Sequence, residues 1–294
     1  CEAEAADLQS AGFDRSPTPP IGMGILLLHM KDVNQKRLNQ EKIVSLLNLN
    51  KNLKVNLEIF NQIDSTNSYL LKKEQSVNTF NICVAEMQTK GKGRSGKVWE
   101  SPKNNNIYLS IGTLLNEDLS ELDGFSILIA LNVCRALKNI YKIKAKVKWP
   151  NDLYLKGKKF GGILIETKVV NNKLSLVIGI GLNVFMTSNE FINQEWTSLH
   201  IENPLLKINR DLLISEIISE ILKDLPIFLK KGFKFYKKDF EKLNILKNKK
   251  VTVSNYSSSN CIALDVNDDG SLNLLVDEIK KKVSSGEVSL KIQK

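Results

Sequence analysis

Hydrophobic positions along the chain recur at two spacings, and the switches between them divide it into elements. Ile43, Leu46 and Leu47 fall at helical spacing, and 55–60 then alternates apolar with polar residues as a strand does. Asp64-Ser65-Thr66-Asn67 offers cap side chains ahead of a short helix carrying Tyr69, Leu70 and Leu71. Residues 80–86 read as a buried strand and 106–114 as another strand. Between 121 and 140 the apolar residues Leu122, Phe125, Ile129 and Val133 line one face of an amphipathic helix. Alternation returns at 144–148, 153–155, 159–166 and 174–184, with a Lys-Gly-Lys turn and Asn171-Asn172 as the connections. Asn209 caps a further helix bearing Leu212, Leu213, Ile217, Ile218 and Ile221, which Pro226 is expected to bend or end. A shorter helix follows at 236–243.

Consecutive strands joined by tight turns imply an α+β fold, with a mixed, largely antiparallel sheet and helices on one face. After Lys250 the texture changes to the short alternating segments 251–254, 261–266, 272–276 and 288–292, separated by polar turns such as Asn267-Asp268-Asp269-Gly270. That is the pattern of a small β barrel or sandwich. Residues 1–20 are acidic, Ala-rich and end in Pro-Thr-Pro-Pro, a composition that packs poorly, and the apolar stretch 21–30 is too short to span a bilayer. The expected division is therefore a disordered or non-native leader (1–38), a catalytic domain (39–246) and a small C-terminal domain (247–294).

With 294 residues the chain can bury a sizeable core, and 42% hydrophobic with 25% charged residues is ordinary for a globular protein. A net charge of +10 is compatible with a nucleic-acid partner. The lysines, however, are spread along the chain among many asparagines, and no aromatic-interleaved basic motif occurs. Four cysteines without CxxC spacing fit a reducing cytoplasm. Only two histidines are present, which leaves almost nothing from which to build a His-based zinc site or a Ser-His-Asp triad. No metal ligand set is expected, so chemistry must run on Lys, Arg, Asp and backbone.

The stretch 90–99, Lys-Gly-Lys-Gly-Arg-Ser-Gly-Lys-Val-Trp, alternates Gly91, Gly93 and Gly96 with Lys92, Arg94 and Lys97. Backbone N–H groups and cationic side chains can approach one anion from such a loop. Taken with Ala85-Glu86-Met87-Gln88, Lys148-Trp149-Pro150-Asn151-Asp152, Lys159-Phe160-Gly161-Gly162-Ile163-Leu164 and Gly179-Ile180-Gly181-Leu182-Asn183, the chain from about residue 40 resembles the biotin protein ligases, that is, the biotin–[acetyl-CoA-carboxylase] ligases. Some members carry an N-terminal DNA-binding winged helix. The chain between Lys31 and Asn61 is too short for one, so specific nucleic-acid binding is not expected.

The resemblance implies a class II synthetase-like catalytic domain, an SH3-like C-terminal domain and a two-step reaction. Biotin carboxylate attacks the α-phosphate of ATP to give biotinyl-5′-AMP and pyrophosphate. A lysine of a biotin carboxyl carrier protein then attacks the mixed anhydride, and Mg²⁺ shields the phosphates. It further implies biotin binding by Ser65, Thr66, Asn67, Gln88, Lys92, Gly93, Arg94 and Lys159. ATP and adenylate contacts are implied at Gly91, Gly96, Asn151, Gly162 and Asn183, with Trp196 near the adenine. Lys159 and Arg94 are the expected catalytic cations. Asp152 is either a turn residue or the group that orients or deprotonates the incoming amine. Lysines 92 and 97 stand where the family commonly has arginine. Of Lys158 and Lys159, adjacent on one strand, only the second should face the site. Trp99 and Trp196 are either core residues or covers for the ligand. A cytoplasmic enzyme is implied, with a homodimer allowed and no membrane partner. The alternative within the same fold is a lipoate or octanoate protein ligase, which is not expected to pair this glycine loop with Lys-Trp-Pro-Asn-Asp.

Overall fold

The structure, a computed structural model, describes residues 37–48, 53–192, 194–254, 260–286, 288 and 290–293. All but the last two residues of the expected leader lie outside the described residues. From Arg37 onward the chain forms one compact unit. Seven strands, β1 (Lys54–Phe60), β2 (Thr79–Ala85), β3 (Ile107–Leu115), β4 (Lys146–Lys148), β5 (Asp152–Leu155), β6 (Lys158–Val170) and β7 (Lys173–Leu182), make one sheet in the order β1-β2-β3-β7-β6-β5-β4. Within this sheet only β1 and β2 pair in parallel; every other neighbouring pair is antiparallel, and short turns join β4 to β5, β5 to β6 and β6 to β7.

Among the described residues six helices accompany the two sheets: α1 (Gln40–Ser45), α2 (Thr66–Lys72), α3 (Phe125–Tyr141), α4 (Leu199–Glu202), α5 (Arg210–Lys231) and α6 (Lys237–Leu243). Alternation along β3 sorts them. Ser110 bonds to Thr66 and Asn67 of α2, and Gly112 faces Gln75 just beyond it, so even-numbered positions face α2. Leu70, Cys83 and Val177 form a buried cluster on that side. The odd-numbered residues Ile107, Leu109 and Ile111 are equally buried and point the opposite way, where the long helices α3 and α5 pack on the sheet and on each other. The short helix thus shares its face with open space.

Two helix boundaries differ from the periodicity. Helix α3 begins only after Gly124, whose φ of 75° breaks the helix, and residues 119–122 form a separate 3₁₀ turn. Helix α5 runs through Pro226 to Lys231 instead of ending there. A proline inside a helix costs about 3 kcal/mol. Burial of Leu222, Leu225 and Phe228 around it, at about 1.5–3 kcal/mol each, outweighs that loss. The Phe228 ring lies 5.1 Å from Phe125 of α3.

Five further strands, β8 (Lys249–Val253), β9 (Cys261–Val266), β10 (Leu272–Val276), β11 (Ile279–Val283) and β12 (Leu290–Ile292), form a second sheet in the order β11-β10-β9-β8-β12. Strand β11, Ile-Lys-Lys-Lys-Val, has no alternation to betray it. It lies at the sheet edge, where lysines discourage further pairing. The turn before β10 fastens this sheet to the first. Trp149 Nε1 donates to Gly270 O at 2.8 Å, and a Cβ on Gly270 would stand 2.6 Å from the Gly124 Cα.

An ion pair buried on both sides joins the ends of β2 and α5. Arg210 Nη1 donates to Glu86 Oε2 at 2.6 Å and to Asn106 O at 3.1 Å, and Glu86 Oε1 accepts from Leu38 N at 2.8 Å. Glu86→Ala is expected to lower stability by about 3–5 kcal/mol, because it leaves a buried guanidinium without its counter-charge. Denaturant unfolding of the two proteins measures this, and Glu86→Gln should lose less.

Candidate functional site

On the α2 face a cavity of about 670 Å³ runs from the start of α2 to the glycine loop and the second sheet. Its inner end is built by the caps that the sequence displays. The Ser65 side chain accepts from Ser68 N at 3.3 Å, which turns Thr66 and Asn67 inward. Gln88 Oε1 accepts from Thr66 N at 2.9 Å and from Thr66 Oγ1 at 3.1 Å, while its Nε2 donates to Ser101 Oγ at 3.0 Å. Ser110 Oγ lies 2.7 Å from Thr66 Oγ1 and 2.6 Å from Asn67 Oδ1, and Asn67 Nδ2 donates to Glu166 Oε2 at 2.7 Å. The hydroxyls of Ser110 and Thr66 hold two protons for three oxygen contacts. Each hydroxyl and amide oxygen here carries two lone pairs, so acceptor capacity beyond these contacts can meet a ligand N–H.

Missing side chains make this end possible. A Cβ on Gly179 would stand 2.4 Å from Asn67 Oδ1, and one on Gly181 would stand 2.6 Å from the Trp99 indole. Trp99 accordingly lies flat against β7 and β6, opposite Gly162, with its Nε1 buried and unpartnered. Lys159 Nζ is 5.6 Å from the centroid of that ring.

The charged centre comes next along the cavity. Lys159 Nζ pairs with Asp152 Oδ1 at 2.7 Å, the two side chains being 16% and 21% exposed. Lys158 is fully turned to solvent, as strand alternation demands. Arg94 Nη1 donates to Asn151 Oδ1 at 2.9 Å, and Nη2 donates to Ser285 O of the second sheet's last loop. Burial pushes the Arg94 guanidinium pKa down, with nearby Asp152 opposing. Asn151 is itself fixed by donating through Nδ2 to Ile163 O at 2.8 Å. Lys97, Lys148 and Lys291 add further positive charge to the cavity lining.

Of the residues singled out in the sequence, Ser65, Thr66, Asn67, Gln88, Lys92, Gly93, Arg94, Asn151, Asp152, Lys159 and Gly162 line this one cavity. Four others do not. Gly91 lets the chain cross Trp99 O closely, and Gly96 sits at φ 72° in the loop's 3₁₀ turn. Asn183 is buried and donates to Thr197 O at 3.1 Å. Trp196 bridges to Lys159 through backbone, away from the lining, so of these two candidates Trp99 is the one on the cavity, which Trp149 also lines. The loop's N–H groups are also less open than its glycines suggest. Those of Gly93 and Lys97 are spent on Lys97 O and Arg94 O. The pattern gave no sign of Ser110 and Glu166, which read as ordinary strand residues, or of Ser285 and Lys291, which lie in the other sheet.

A long antiparallel sheet with a hydrogen-bonding pocket at one end and a cationic glycine loop at the other marks a ligase that handles a small acid and an anion together. Residues 59–183 match the biotin/lipoate A/B protein ligase family. Over 233 residues the chain is 34% identical to the Escherichia coli bifunctional ligase/repressor BirA, covering 78% of this chain and 72% of that protein. It is 29% identical to the Mycobacterium tuberculosis biotin–[acetyl-CoA-carboxylase] ligase, covering 56% and 62%. A solved structure of the Aquifex aeolicus biotin protein ligase with biotin and ATP superposes with a TM-score of 0.69 at 30% identity, covering 81% of this chain and 99% of that one. The chain belongs to the biotin protein ligase family.

Lys159→Ala is expected to lower adenylate formation by about 100-fold or more, because it removes the partly buried ammonium paired with Asp152 at the charged centre of the cavity, whereas Lys158→Ala should be nearly silent. Initial rates of the two variants decide it. Equal losses would mean that the register of β6 is wrong.

Proposed function

We propose that the protein activates biotin with ATP and transfers it to a lysine of a biotin carboxyl carrier domain. The observation that carries this reading is the continuity of one cavity from an acceptor-rich polar end to a cationic end. Biotin fits that polarity: its ureido N–H groups suit the unused lone pairs around Thr66, Asn67 and Gln88, and its valeryl tail suits Trp99 and the glycine floor. The tail carboxylate then reaches Lys159 and Arg94. A lipoyl ring has no N–H to offer, so the same end disfavours the lipoate alternative.

In the first step the carboxylate oxygen attacks the α-phosphorus, the bond to the bridging oxygen breaks, and pyrophosphate leaves with the electron pair. Two anions must meet here, and Lys159, Arg94 and Lys92 lower that barrier by neutralising the crowded oxygens. Among the described residues no three His, Cys, Asp or Glu side chains gather to hold a metal ion. Mg²⁺ enters this reading with the nucleotide, MgATP being the substrate. In the second step the acceptor amine attacks the acyl carbon and AMP departs. An amine of unperturbed pKa about 10.4 must first lose a proton. Asp152 opens β5 and also faces the cavity, so its carboxylate can take that proton once Lys159 turns to the phosphate. Arg94, tied to Asn151 and to Ser285 O, closes the cavity over the adenylate.

Within this reading residues 39–246 form the catalytic part and 247–294 the C-terminal part, and the enzyme works in the cytoplasm. No helix among the described residues is long and apolar enough to cross a membrane. The test is pyrophosphate exchange into ATP with biotin, lipoate or octanoate offered separately. Exchange should require biotin, and exchange driven by lipoate but not by biotin would overturn the reading.

Arg94→Gly should make the enzyme leak. Removing one charge-assisted contact worth about 1.5–3 kcal/mol raises adenylate escape by roughly 10–100-fold. Biotin incorporation into a bystander such as albumin, under single-turnover conditions, should rise accordingly. A variant that forms adenylate normally but labels the bystander no more than wild type would remove Arg94 from this role.

A further inference from the structure

The inner end of the cavity holds more oxygen contacts than protons to fill them. Ser110 Oγ lies 2.6 Å from Asn67 Oδ1 and 2.7 Å from Thr66 Oγ1, and Thr66 Oγ1 lies 3.1 Å from Gln88 Oε1. An amide oxygen only accepts, so two hydroxyl protons must serve all three contacts. Turning Gln88 over does not help. Its Oε1 also takes the Thr66 N–H at 2.9 Å, and its Nε2 donates at 3.0 Å to Ser101 Oγ, whose own proton goes to Trp99 O at 2.9 Å. Asn67 is the member whose reversal would close the count: its Nδ2 would donate to Ser110, Ser110 to Thr66, and Thr66 to Gln88.

Glu166 of β6 prevents that reversal. Its Oε2 accepts from Asn67 Nδ2 at 2.7 Å, and Leu164 O accepts from the same nitrogen at 3.4 Å. Reversal would set the Asn67 oxygen against a carboxylate and a main-chain carbonyl, three acceptors with no proton among them. A bond to an ionised acceptor is also the stronger kind, which fixes the amide with its Oδ1 towards Ser110 and Gly179. Glu166 itself is half-buried and is not part of the cavity lining, whereas Asn67 is buried and lines it. Any influence of the carboxylate on a ligand therefore passes through Asn67.

We propose that Glu166 is a positioning residue that sets the specificity of this end: by holding Asn67 as an acceptor it keeps the cluster one proton short, so that a ligand bringing N–H groups is favoured over one without them. This rests on the function proposed above, in which those groups are the ureido N–H groups of biotin. A donor that reaches Asn67 Oδ1 or Thr66 Oγ1 sets a positive hydrogen against the crowded oxygens. A ring without N–H leaves them facing apolar surface, where unmet acceptors are costly. A cluster that satisfied itself through a reversed Asn67 would gain nothing from either ligand.

The substitution Glu166→Gln keeps the shape of the side chain but offers Asn67 a donor as readily as an acceptor, which frees its amide to turn. Calorimetric affinity for biotin should fall about 10-fold, the effect of losing one hydrogen bond. In pyrophosphate exchange KM for biotin should rise alike with kcat within about twofold, because the contact is the same in the ground and transition states. Two isomeric cyclic carbamates, with oxygen in place of one or the other ureido N–H, separate specificity from stability. Wild type should bind at least one of them about 10-fold more weakly than biotin, and Glu166→Gln should narrow that gap to about threefold or less. Glu166→Leu, which removes the acceptor altogether, should narrow it as far. A loosened fold would weaken all three ligands alike; that result, or an unchanged biotin affinity in Glu166→Gln, overturns the role of Glu166. A wild type that does not bind biotin overturns the biotin reading itself, and the wild-type titration alone reports it.

Discussion

The register of three antiparallel strands is the constraint on which the site depends. Gly162 of β6 pairs with Gly181 of β7, and Gly181 pairs with Tyr108 of β3, which in turn faces Ala85 of β2. The next rung of the same face runs Leu164, Gly179, Ser110 and Cys83. Each rung brings small residues to where a bulky group must lie close: Trp99 on the first, Asn67 on the second. A slip of one residue in β7 would send Ile178 and Ile180 into the cavity and both glycines into the helical core. The two faces of the sheet therefore specify one another. The apolar positions that anchor α3 and α5 also determine where the glycines open space for a ligand.

The same alternation explains what could be read in advance. Lys159 and Lys158 were separable because a strand has only two faces, and the caps Ser65 and Asn209 were visible because their side chains satisfy N–H groups in their own helices. Both are local rules, acting over a few residues. Tertiary packing overrode local rules elsewhere. Pro226 is absorbed because α5 buries apolar residues on both sides of it, and β11 pairs at the sheet edge despite three successive lysines. A glycine-rich loop announces proximity to something, but not to what. Gly91 makes room for the loop's own backbone and Gly93 feeds an internal hydrogen bond, so the cationic side chains are left to face the cavity.

Side-chain direction at the ends of strands was the least legible property. Asn183 follows β7 in the same run as Gly179 and Gly181, yet the strand has ended by then and its amide turns to Thr197 O. Between the two tryptophans, period and composition offered no choice. The distinction arises from Gly181, which admits an indole on the cavity face, and from Trp196, whose backbone merely continues the β6 edge. Knowing that a glycine sits opposite another glycine across a ladder would have favoured Trp99, but such a pairing emerges only once the register is fixed.

The second sheet gains its relevance from long-range geometry that no window of sequence contains. Gly270 accepts from Trp149 at the foot of the Asn151-Asp152 turn, and Ser285 O accepts from Arg94 at the tip of the glycine loop. Two loops that are 50 or more residues apart in the chain thus lean on one small sheet. The partly buried Arg94 needs carbonyl and amide oxygens to keep its charge, and it finds one in each sheet. Any displacement of the second sheet would have to strip a buried indole N–H and a guanidinium of their acceptors at once. Because an unpaired buried donor is penalised more heavily than a made bond is rewarded, the buried Trp149–Gly270 contact is the one that resists displacement of the second sheet, while water can replace the exposed Arg94–Ser285 contact.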